Sequence, residues 1–119
     1  MLFPRFRSKE RDLRSDIERL STIHQVVLRA LADTRSEAQG LAARVEDARS
    51  RAAFLYGDVI DGFDEPDGKQ SELIQEAERF LVRGEKRRDE LGLHSDFLRQ
   101  LEVQLKQGIE ALKIELLED

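Results

Sequence analysis

Asp61-Gly62-Phe63-Asp64-Glu65-Pro66-Asp67-Gly68 is the only dense cluster of turn-forming residues in the chain, and it falls near the middle of the 119 residues. Pro66 lacks a backbone donor and breaks a helix interior, while the flanking glycines and aspartates tolerate the backbone of a reversal. The one other proline is Pro4, so nothing else on either side must interrupt a helix. Asp67, followed three residues later by Gln70, reads as a capping box that opens a new helix. The expected organisation is a tip over residues 1–7 and a helical hairpin over 8–119, with helix one at about 8–62, a turn at about 63–68 and helix two at about 69–118.

Upstream of the turn, Leu13, Ile17, Leu20, His24, Val27, Leu31, Thr34, Ala38, Leu41, Val45, Ala48, Ala52, Leu55 and Val59 recur in alternating steps of four and three. All but His24 and Thr34 are apolar. An apolar row held in that spacing needs roughly 3.5 residues per turn, the signature of a coiled coil. Downstream, Leu73, Ala77, Phe80, Gly84, Arg87, Leu91, His94, Leu98, Leu101, Leu105, Gly108 and Leu112 repeat the spacing less cleanly. Gly92-Leu93 with Ser95 can also be read as a C-cap and a new N-cap, which would split helix two. The row carries across that site from Leu91 to Leu98, which favours one continuous helix. The fold class expected is all-α, a long antiparallel two-helix coiled-coil hairpin.

Folding the two rows together about Pro66 sets Leu20 against Leu112, Val27 against Leu105, Leu31 against Leu101 and Leu41 against Leu91. Large residues then meet small ones, with His24 facing Gly108 and Ala52 facing Phe80, while Ala48 opposite Gly84 brings the backbones close. Arg87 would lie beside Val45 within reach of Glu46 and Asp47, its stem covering the seam and its guanidinium solvated. Arg5, Arg7, Lys9, Arg11 and Arg14 would approach Glu110, Glu115, Glu118 and Asp119, helping to choose the register.

Apolar residues also flank the seam: Ile23 and Leu28 in helix one, and Ile74, Leu81, Phe97, Ile109 and Leu116 in helix two. Left in water, each would forgo on the order of 1.5–3 kcal/mol of burial. A second covering surface is therefore expected, with dimerisation into a four-helix bundle as the leading solution and another protein as the competitor. Phe3 and Phe6, interleaved with Arg5 and Arg7 ahead of the first heptad, add a further site for partner docking; contact of this tip with an anionic membrane surface is the weaker reading.

Composition narrows the function classes. Charged residues make up 38 % and are mixed in sign to a net charge of −5, which argues against nucleic acid as a ligand. The basic run Arg83, Lys86, Arg87, Arg88 is interrupted by Glu85, Asp89 and Glu90 and carries no aromatic residue. With Cys at 0 there is no disulfide framework, and no stretch has the apolar length of a membrane span or a signal peptide. Both observations point to a soluble cytoplasmic protein. His24 and His94 sit at separate heights and suit polar seam positions better than a shared metal, and the acidic turn lacks the alternating ligands of a calcium loop. No nucleophile and base stand together, and no phosphate loop or cofactor motif occurs. The reading is a non-enzymatic interaction module without cofactor or metal, a structural adaptor or scaffold binding itself or another protein; the alternative is a secretion or assembly chaperone that holds an amphipathic client helix.

Overall fold

The computed structural model describes residues 3–61 and 68–118, with side chains over 8–58 and 68–118. Two helices account for them, α1 at Phe3–Asp61 and α2 at Gly68–Glu118. The chain is an all-α helical hairpin. Asp67, and with it the capping box, lies outside the described residues, as do the side chains of Phe3 and Phe6. Helix α2 runs through Gly92 without a break, and no described glycine takes a positive φ. Without that backbone conformation a glycine C-cap cannot form, so the three-helix alternative falls.

By contacts the hairpin divides into two units, Met1–Asp33 with His94–Asp119, and Thr34–Leu93. In the first, Leu13, Val27, Leu31 and Ile109 are buried. In the second, Leu41, Val45 and Leu91 form a core cluster against which Ala38, Phe80 and Leu81 pack, and Ala48 and Ala52 are buried beside it. The row of α1 thus turns inward as its spacing requires, and Leu41 shares a cluster with Leu91 as expected.

At two glycines the facing residue departs from the expected pairing, while Arg49 and Tyr56 reach Glu85 and Glu78 close to it. The Cβ direction of Gly84 points at Val45 and Leu41 instead of Ala48, and that of Gly108 points at Leu20 instead of His24. In both cases the glycine faces a residue one seam position nearer the N-terminus of α1. Packing explains the first. At Gly84, Ala48 opposite would leave space that neither side chain fills, whereas Val45 occupies it and recovers the contacts. Arg87 also takes another partner: its Nε donates to Glu37 Oε2 at 2.8 Å in place of the expected Glu46 and Asp47. That hydrogen bond raises the guanidinium above its ordinary range.

Helix α2 is also rotated. His94 and Leu73, assigned to the seam, are exposed, while Ser95 and Ile74 beside them are half-buried and Ile109 is buried at 7 %. The turn puts Ser95 in place of His94 and Ile74 in place of Leu73 at the interface and adds Ile109 to it. Bringing Ile109 inward removes its apolar area from water.

Charge serves the helices more than their register. Arg14 pairs with Glu10 at 2.9 Å, Arg51 with Asp47 at 2.7 Å, and Arg19, Arg49 and Arg99 each with an acid three residues before it. Arg14 therefore bonds within its own helix and not across to the acidic end of α2. Such pairs are worth only about 0.2–0.5 kcal/mol each.

The close approach at Gly84 gives a direct test of the register. A Cβ there would lie 2.7 Å from Val45 Cγ2, a stiff branched side chain that cannot swing aside. Gly84→Ala is expected to lower stability by about 1 kcal/mol or more in urea unfolding despite the helix-propensity gain. Adding Val45→Ala should restore part of it. Gly92→Ala, where a Cβ meets nothing within 4 Å, should instead stabilise by about 0.5–1 kcal/mol.

Candidate interaction surfaces

A helix presents one stripe to its neighbour, so what remains outside that stripe is the material available for binding. Of the flanking residues named from the sequence, Ile23, Leu28 and Phe97 are exposed, Ile74, Leu81 and Leu116 are half-buried, and Ile109 is buried. The expectation that these residues form one free face therefore needs correcting for Ile109, which belongs to the interior of its own unit. The cause is the rotation of α2.

Other large apolar side chains are exposed that the sequence reading did not single out: Val26, Phe54, Val82, Val103, Ile114 and Leu117. Phe54 is 73 % exposed and Val82 69 %. Spacing against the seam marks them as outward.

Within the unit Thr34–Leu93 the helices part to leave a groove of about 300 Å³. Its apolar floor is Ala48, Leu55, Leu73, Ala77 and Phe80, and Arg44, Arg51, Arg83 and Glu76 rim it. Small residues in the seam open it. Ala48 and Ala77 reach less far than the leucines and phenylalanine around them, so the two backbones are bridged without filling the space between. On α1 the lining residues Arg44, Ala48, Arg51 and Leu55 follow steps of four, three and four, which puts them on one face. Three guanidinium groups around this floor reverse the sign of an acidic chain locally. Arg51 is engaged with Asp47 but both side chains remain well exposed.

The histidines are placed differently from each other. His24 is half-buried, and its Nε2 has no hydrogen-bond partner; the nearest acid oxygen, Glu102 Oε1, is 3.9 Å away. That distance exceeds a hydrogen bond. His94 is exposed. Among the described residues no group of three or more His, Cys, Asp or Glu side chains is placed to hold a metal ion. Polar contacts across the hairpin in the second unit join Tyr56 to Glu78 and Arg49 to Glu85. Among the described residues no helix is long and apolar enough to cross a membrane.

No protein-family model, curated protein or solved structure matches this chain.

The position of Ile109 can be checked by charge insertion. Ile109→Lys should destabilise the folded chain by about 2–4 kcal/mol, because the ammonium must either be desolvated or force the helices apart. Val26→Lys, at a site 60 % exposed, should stay within about 0.5 kcal/mol of the parent. Chemical unfolding followed by circular dichroism measures both.

Proposed function

We propose that the chain is a non-enzymatic protein–protein interaction module, a structural adaptor or scaffold that presents helix faces to itself or to another protein. The observation that supports this reading is the number of large apolar side chains held exposed on regular helix, Phe54, Val82 and Phe97 among them. Burial of each would contribute on the order of 1.5–3 kcal/mol, so a covering surface gains where the hairpin alone does not. A cytoplasmic location goes with the proposal.

Phe54 and Val82 supply its test. A photo-crosslinking amino acid placed at either position in cells should trap an adduct of higher mass, and the same group at Lys86, exposed among charged residues, should trap little. No adduct from Phe54 or Val82 would overturn the reading.

A second reading, a secretion or assembly chaperone for an amphipathic client helix, is favoured by the groove with its apolar floor and arginine rim. An acidic amphipathic peptide, with leucine and glutamate on opposite faces, would be matched to it in both shape and charge. Fluorescence anisotropy with such a labelled peptide should show saturable binding, and Arg44→Glu with Arg83→Glu should weaken it roughly tenfold or more, a loss of about 1.4 kcal/mol. Binding indifferent to the two substitutions would remove the chaperone reading.

A further inference from the structure

Helix α2 carries a second row that the hairpin does not use. In its stretch within the first unit, Phe97, Gln100, Gln104, Gln107, Ala111 and Ile114 follow alternating steps of three and four, and every one is exposed. The inward face of the same stretch is separate: Leu98, Leu105 and Leu112 are half-buried and Ile109 is buried. Charged residues make up 38 % of the chain, and solvated helix faces are where charge normally collects. An exposed row in heptad spacing with no charge in it departs from that rule.

The row is self-complementary under a two-fold axis. Laid antiparallel on a second copy of itself, Phe97 meets Ile114, Gln100 meets Ala111 and Gln104 meets Gln107. Each large residue faces a smaller one at the ends, and at the axis two pairs of carboxamides face each other, each able both to donate and to accept. This is the condition for an isologous interface, in which one patch serves both partners. At the margin of the row, Asp96 would come beside Leu117 and Val103 beside Glu110 of the copy, so no like charges meet. Val103 and Leu117, both exposed in the single chain, would gain cover.

We propose that this outer row is the interface of an antiparallel homodimer, packing α2 of one chain against α2 of a second copy around Gln104 and Gln107. The proposal rests on the interaction-module reading and names a second copy as the partner of this one face, apart from the surface at Phe54 and Val82. Glutamines in place of leucines make the association reversible and hold it in one alignment, because a slipped copy would set a carboxamide against Phe97 or Ile114 with its hydrogen bonds unmade.

The chain contains no cysteine, which makes the test clean. Chains carrying Phe97→Cys and chains carrying Ile114→Cys, mixed and mildly oxidised, should form a disulfide dimer between the two variants and little within either. Copies of residue 97 in the proposed dimer would stand roughly 25 Å apart at 1.5 Å per residue, beyond the reach of a disulfide. Sedimentation of the wild-type chain should report a dimer, and Gln104→Lys with Gln107→Lys should raise its dissociation constant at least tenfold while leaving helical content unchanged. A monomer at all concentrations would overturn the proposal. So would Phe97→Cys chains that link to one another as readily as to Ile114→Cys chains, or a lysine variant that dimerises like the parent. The module reading is judged separately, by crosslinks from Phe54 and Val82, which lie outside this row.

Discussion

Among the described residues of each unit the interior is an apolar seam between two helices, and the angle a residue makes with that seam decides its energetic role. A pair of helices offers no second layer behind the first. Even Leu91, the most enclosed of the core side chains, retains 3 % exposure. Among the described residues, those off the seam are in contact with water whatever their chemistry, so an apolar residue there is either a cost or a binding element.

Because the seam is narrow, small residues change its course. Gly84 and Gly108 draw Val45 and Leu20 toward them and so set the register of their units. Ala48 and Ala77 do the opposite, leaving the space between helices open as the groove ringed by Arg44, Arg51 and Arg83. The same substitution of small for large yields close packing where a branched side chain lies opposite, and a cleft where nothing does.

Rotation of α2 has a comparable reach. With His94 and Leu73 turned outward and Ile109 turned inward, the uncharged row through Gln104 and Gln107 is presented away from the hairpin. A helix with two apolar or uncharged stripes can be covered twice, as the helices of bundles are. Charges of both signs occupy the rest of its surface, with Arg99 paired to Asp96 within the helix.

The four-three spacing from Leu13 to Leu55, together with the cluster around Pro66, determined by itself that this protein is a helical hairpin and which face of α1 turns inward. Those properties depend on local periodicity, and periodicity is written along one strand of residues. Register, the rotation of α2, the burial of Ile109 and the groove were decided only in the tertiary structure. A four-three row meets its partner almost equally well after sliding by one notch, so the choice between alignments falls to how well particular side chains fill the space at Gly84 and Gly108. The facing residues expected there, Ala48 for Gly84 and His24 for Gly108, gave way to Val45 and Leu20, because the fit of one side chain into the space above a glycine is not written in the spacing. The outer row from Phe97 to Ile114 was legible in its spacing, but only the burial of the opposite face distinguished it from the seam.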